Sequence, residues 1–172
     1  FDNINFKISD FKDLIRVEDG EDLMNLLNDS YNSFGIDETA VIVRSNKRAN
    51  IYNKNIRERI LMNENIITVG DLLMVVKNNY HWLNNKRDLG FIANGDIIKI
   101  EEIYSIKKLY GYRFAEVKIT MVDYPKIKSF ETVLILDTLD INTSSLEYSA
   151  STNLYQEILK DYMDIKTKYK RH

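Results

Sequence analysis

Cysteine is absent from the 172 residues, which removes a disulfide framework, a cysteine zinc site and a thiol nucleophile together. No apolar run approaches the roughly 20 residues that a membrane-spanning helix needs. The N-terminus also lacks the basic-then-apolar order of a secretory signal. Together these absences predict a soluble chain of the reducing cytoplasm with no membrane partner. The common catalytic signatures are missing as well. There is no G-x-x-x-x-G-K-[ST] loop to cradle a triphosphate and no G-x-G-x-x-G turn, and neither an H-E-x-x-H pair nor a G-x-S-x-G elbow occurs. Asp37-Glu38 and Glu101-Glu102 are neighbours in sequence and need not face one cavity, while His81 stands without a partner motif. No catalytic residue, metal site or cofactor is therefore expected in this chain. The net charge of −2 lacks the basic excess of a domain that lives on phosphate contacts, so local distribution matters more than the sum.

What is present suffices for a folded domain. With 44% hydrophobic and 29% charged residues, a chain of this length buries about two-thirds of its unfolded surface and needs no staple. It opens on Phe1 rather than Met and stops in the basic run 166–172 with no helix-ending Gly or Pro. Both ends read as cut from something longer.

Leu23, Met24, Leu26, Leu27 and Tyr31 recur at helical spacing from Glu21, and Gly35 is placed to end that helix. Ala40-Val41-Ile42-Val43 is a continuous apolar run of the kind found in strands buried on both faces. Ser45 or Asn46 can cap a following helix that runs to about Met62, with Tyr52, Ile56 and Ile60 along one face. Beyond Asn63 the pattern predicts five strands: 66–67, 72–76, 96–103, 113–122 and 131–136. They are punctuated by Gly70-Asp71, Asn94-Gly95-Asp96, Tyr110-Gly111-Tyr112 and Asp123-Tyr124-Pro125. Val117, Ile119 and Met121 alternate with Lys118 and Thr120, giving one buried and one wet face. A small antiparallel barrel would hide the edges of such short strands. From Ser151 helical spacing returns through Leu154, Ile158, Tyr162, Ile165 and Tyr169. The expected class is α+β: an α/β fragment at both ends (1–63 and 151–172) with a β-barrel inserted at 64–150.

The densest chemical signal is Arg44-Ser45-Asn46-Lys47-Arg48-Ala49-Asn50, continuing through Asn53, Lys54, Arg57 and Arg59, in which Glu58 is the single acid. It falls where a strand is expected to end and a helix to begin, and there free backbone N–H groups and the helix dipole favour an anion. Arg44 or Lys47 would clamp a phosphate, and Arg48 and Arg57 would extend the basic face. Ser45, Asn46, Asn50 and Asn53 can hydrogen-bond phosphate, sugar or base edges. The plainer alternative is a solvated basic helix face paired with nearby acids. A second signal, Lys77-Asn78-Asn79-Tyr80-His81-Trp82, sets aromatics beside amide and ammonium groups at a strand end. It reads either as a platform for base stacking and strand guiding, centred on Tyr80 and Trp82, or as a plug for the barrel mouth.

Four segments together resemble the RecD-like superfamily 1 DNA helicases, of the bacterial exodeoxyribonuclease V alpha-chain-like group. They are AVIVRSNKRANIYNKNIRERIL, TVGDLLMVVKNNYHWL, GFIANGDIIKIEEI and YGYRFAEVKITMVDYP, which run through most of residues 40–125. The resemblance implies that residues 1–63 begin an incomplete second RecA-like motor layer. It also implies that Gly70-Asp71 and Asn94-Gly95-Asp96 are turns entering an inserted SH3-like barrel, and that 151–172 return to the motor. The implied parent is an ATP-dependent hydrolase that uses ATP and Mg2+ between two motor domains. The implied partners of this chain are single-stranded DNA and the remaining helicase domains. The family's phosphate loop and its later motifs lie outside this sequence, so no ATPase activity is expected of the chain alone. The rival expectation is a protein-interaction module that docks a partner through the barrel.

Overall fold

The computed structural model describes residues 11–80, 90–143 and 145–163. The chain divides into two compact units, Phe1–Ile42 and Val43–His172. The expected tail positions Ile165 and Tyr169, like His81 and Trp82, lie outside the described residues.

The first unit is built on helix α1 (Gly20–Phe34). Asp19 caps it, its Oδ1 accepting the backbone N–H of Glu21 at 2.9 Å and of Asp22 at 2.8 Å. Glu21 and Asp22 add negative charge where the helix dipole is positive. Gly35 ends the helix as expected, its N–H returning to the carbonyl of Tyr31. The run Ala40-Val41-Ile42-Val43 departs from expectation. Among the described residues it joins no strand, and Ile42 is 96% exposed. An extended apolar run needs a neighbouring ladder to become a buried strand, and no described segment supplies one.

The second unit begins with helix α2 (Asn46–Asn55), which passes into a single wider π turn over Ile56–Ile60. There the N–H of Leu61 bonds to the carbonyl of Ile56 and that of Asn63 to Arg57, and Met62 sits at φ +50°. The helix expected to reach Met62 therefore changes hand-hold over its last turn and stops abruptly. Strands β1 (Leu72–Met74), β2 (Ile97–Leu109), β3 (Tyr112–Met121) and β4 (Phe130–Ile135) follow as an antiparallel meander in the order β1-β2-β3-β4. A short 3-10 turn (Leu136–Leu139) and helix α3 (Tyr148–Asp161) complete it. Helices and an antiparallel sheet make the chain α+β, and among the described residues no pairing joins β1 to β4.

The segment Ile66-Ile67, expected as a strand, is instead an irregular loop whose carbonyls are met by a side chain. The Arg57 guanidinium donates to the carbonyls of Asn65 and Ile66. Asn63 Nδ2 donates to the Thr68 hydroxyl. Held by these bonds rather than by a ladder, the loop still delivers Ile67 to the core at 4% exposure.

Burial follows the period of two. Ile98 and Ile100 of β2 and Ala115, Val117, Ile119 and Met121 of β3 all face inward, joined by Ile67, Ile92 and Leu136. Ile100, Ile119, Val117 and Leu136 are the largest wholly enclosed side chains, each stabilising the fold by roughly 1.5–3 kcal/mol. The opposite face is polar. Lys118 Nζ meets Glu102 at 2.7 Å and Lys107 Nζ meets Glu116 at 3.0 Å, so Glu102 raises the pKa of Lys118, while the Ser105 hydroxyl and then Lys107 lower that of Glu116.

Two register breaks interrupt the β2–β3 ladder, one between Ile100 and Glu102 and one between Ile103 and Ser105. Each leaves one residue, Glu101 and then Tyr104, as an unpaired extra, and such bulges bend a strand and strengthen its twist. The first also brings Glu101 and Glu102 to the same outer face, where they accept from Thr120 and Lys118 respectively. The adjacent carboxylates do share a surface, and it is solvated and already hydrogen-bonded.

The β2–β3 hairpin closes through Tyr110-Gly111, both at positive φ, the type I′ geometry whose twist suits paired strands. The Tyr110 hydroxyl reaches Asp161 Oδ2 of α3 at 2.6 Å. Arg113 ties β3 to the 3-10 turn, donating to Asp137 from its backbone N at 2.6 Å and from Nε at 3.1 Å. Burial opposes ionisation of Asp137, but these bonds outweigh it and hold the carboxyl below the usual range.

Candidate nucleic-acid interface

The basic segment starts at a well-formed helix N-terminus. Ser45, in extended conformation, is the N-cap, and its hydroxyl accepts the backbone N–H of Arg48 at 3.3 Å. Asn46 is therefore the first helical residue. Arg44, Asn46, Lys47 and Arg48 are all exposed, as is Asn53 further along. Among the described residues none of Arg44, Lys47 and Arg48 enters an ion pair, so their charge is not spent on nearby acids. The solvated face paired with acids, the plainer alternative above, holds for Lys54, which lies 3.8 Å from Glu58.

Two members of the cluster have internal work. Asn50 Nδ2 donates to the carbonyl of Ile141 at 2.8 Å, tying α2 to the chain beyond the 3-10 turn. Arg57 donates to the carbonyls of Asn65 at 2.9 Å and Ile66 at 3.1 Å and pairs with Asp71 Oδ2 at 2.9 Å. Its side chain is 26% exposed and that of Asp71 13%, and Arg57 Nε is buried without a partner among the described residues. The structure makes Arg57 a brace of the loop after the π turn.

Gly70-Asp71 and Asn94-Gly95-Asp96 are twin turns. In each the aspartate N–H donates to the carbonyl three residues back, Thr68 or Ala93, at 3.2 Å. Its Oδ2 accepts the N–H of that same residue at 2.7 Å. The glycine before it has φ +93° at Gly70 and +98° at Gly95, a conformation that other residues adopt only with strain. Asp96 is 8% exposed; it acts by closing the turn from inside. These residues shape the sheet entry, with β1 hung between the two turns.

Between the turns, the segments 75–79 and 92–96 run antiparallel and are joined at two points, one of them an isolated bridge between Asn79 and Ile92. Val75 and Asn79 donate to the carbonyls of Asp96 and Ile92, and Gly95 and Ile92 donate back to those of Val75 and Asn79. Lys77 and Asn78 are exposed. Asn78 Oδ1 accepts the N–H of Asn94 at 2.8 Å and its Nδ2 donates to the Tyr80 hydroxyl at 3.2 Å. Tyr80 stacks on Phe91, ring centroids 5.1 Å apart and planes 30° apart. Phe91 was not singled out in the sequence, where it reads only as a hydrophobic residue after Gly90. The signal that finds it is cross-strand position, since pairing of Asn79 with Ile92 sets Tyr80 opposite Phe91.

A cleft of about 330 Å3 opens between the two sheet edges, lined by Leu73, Val75, Thr132, Leu134, Leu136 and Leu146 among others. Among the described residues no cluster of histidine and carboxylate side chains could hold a metal ion, and no helix is long and apolar enough to cross a membrane. No family model matches the chain, and neither a curated protein nor a solved structure matches it.

Proposed function

We propose that this chain is the nucleic-acid-gripping part of a larger RecD-like superfamily 1 DNA helicase. In this reading the residues around α2 belong to an incomplete RecA-like motor layer, and the β1–β4 meander is its inserted SH3-like barrel. The observation that carries the reading is the start of α2, where Arg44, Lys47 and Arg48 stand exposed, without an ion pair among the described residues, beside a serine-capped helix N-terminus. Backbone N–H groups, the helix dipole and exposed cations there suit a phosphodiester better than a neutral partner. The barrel guides the strand, and Asn46 and Asn53 supply polar contacts to sugar or base. ATP and Mg2+ belong to the parent protein, between this layer and its companion, and the chain alone turns over no nucleotide.

The test is single-stranded DNA binding followed by fluorescence anisotropy across a salt series. Contact with about three phosphates gives a slope of log affinity on log salt near −2. The Arg44→Ala, Lys47→Ala double variant flattens it; an unchanged slope rejects the assignment of these residues. The cleft between the β1 and β4 edges supports a second reading, a protein-interaction module that docks a peptide there. That reading requires salt-insensitive or undetectable DNA binding, and a partner whose capture is lost when Leu134 is replaced by Arg.

A further inference from the structure

Tyr80 and Phe91 flank an isolated antiparallel bridge, and their exposure shows which way their side chains face. Asn79 and Ile92 are direct partners, and Ile92 is 5% exposed in the core. The next residue on each arm, Tyr80 and Phe91, is exposed where Ile92 is buried, as side chains on the opposite side of an extended pair are. Both rings thus face away from the core, 61% and 39% exposed. They are not loose. Their 5.1 Å separation and 30° tilt lie within the range of offset-stacked aromatic pairs. The Tyr80 hydroxyl is held by Asn78, and Asn78 by the backbone of Asn94 across the pair of arms. Two rings stacked on each other beside a cross-strand amide brace, yet left wet, keep exposed ring surface on which a third aromatic ring could extend the stack.

We propose that the Tyr80–Phe91 ring pair is a stacking site for an unpaired nucleobase, resting on the reading of this chain as a single-strand grip. A base in a duplex has both faces covered, so the site selects single strands; every base has a π face, so it selects no sequence. The probe is an oligothymidylate carrying one 2-aminopurine, titrated with the 172-residue chain. Stacking on the rings quenches the 2-aminopurine. Tyr80→Leu and Phe91→Leu each abolish the quench and weaken binding roughly tenfold, while the salt slope is unchanged. Tyr80→Phe, which keeps the ring, keeps the quench. A Tyr80→Leu, Phe91→Leu chain with wild-type circular dichroism that still quenches the probe overturns the proposal. The two readings fail separately. An unchanged salt slope in the Arg44→Ala, Lys47→Ala chain with the ring-dependent quench intact removes the α2 phosphate contact and leaves the stacking site standing. A flattened slope in that chain, together with a quench indifferent to Tyr80 and Phe91, removes the stacking site alone. Absence of any single-strand binding removes both.

Discussion

Arg57 was expected to meet phosphate, and the structure gives it a task that can be weighed. Its guanidinium makes three hydrogen bonds, to the carbonyls of Asn65 and Ile66 and to Asp71 Oδ2. A hydrogen bond involving a charged group contributes about 1.5–3 kcal/mol when well shielded. Three discounts apply. The side chain is 26% exposed, which admits solvent screening; Nε is buried without a partner among the described residues, which offsets one bond; and Asp71 keeps the N–H of Thr68 when Arg57 is gone. Arg57→Ala should therefore destabilise the second unit by about 2 kcal/mol, and at roughly 2–4 °C per kcal/mol for a chain of this size the melting temperature falls by roughly 4–8 °C. Arg48→Ala, which removes an exposed cation with no ion pair among the described residues, shifts it by less than about 1 °C. Differential scanning calorimetry of both variants, with Asp71→Asn to close a double-mutant cycle, measures the coupling. An Arg57→Ala chain that melts with the parent, or shows no coupling to Asp71, refutes the brace.

Ile100 is fully enclosed, so Ile100→Ala should cost about 2–5 kcal/mol in urea unfolding, whereas Tyr104→Ala at the second bulge should cost less than about 1 kcal/mol. Gly95→Ala meets no atom within 4 Å and must suffer only from its backbone at φ +98°, a penalty of about 1–2 kcal/mol; Gly20→Ala at the first turn of α1 should instead be neutral or slightly stabilising. The Tyr110 hydroxyl is pushed up to about 12 from 10.0, chiefly by its bond to Asp161. Below the unfolded value both states hold the proton and the bond contributes fully; between the two values only the folded state keeps it, so stability falls as pH rises. Urea midpoints compared at pH 9 and pH 11 should show this loss, and Tyr110→Phe should reduce it; an equal loss in both chains counts against the bond.

Much of the architecture is written in local chemistry. Ser45 before a helical stretch, Gly35 after one, and the Gly-Asp pairs at 70–71 and 95–96 each specify a backbone conformation through a few neighbouring atoms, and α1, the start of α2 and both turns stand where those residues place them. Alternation of Val117, Ile119 and Met121 with polar neighbours named the inward face of β3 for the same reason. Readings failed where the outcome depends on a remote partner. Ile66-Ile67 has strand-like composition, but the carbonyls of Asn65 and Ile66 are taken by Arg57, nine residues or fewer away yet unpredictable from spacing. Ala40-Val41-Ile42-Val43 reads as an inner strand, and only an adjacent ladder could make it one. The candidate interface divides the same way: the exposed cations at the α2 start were legible as a charge cluster, whereas the duties of Asn50 and Arg57 depend on chain segments far from them in sequence or shape. The stacking of Phe91 on Tyr80 required knowing which residues face each other across the arms.

The two extra residues of β2 have an implication for how this sheet tolerates change in length. Loss of one residue from a regular strand turns everything beyond it inside out. Here, removing Glu101 would bring Glu102 directly after Ile100 and keep Ile103 opposite Val117, and removing Tyr104 would keep Ser105 opposite Glu116. Either deletion restores simple alternation and spares the enclosed isoleucines while flattening the strand. Curvature and core identity are thus carried by different positions, so the sheet can be reshaped around a new partner without rewriting its interior.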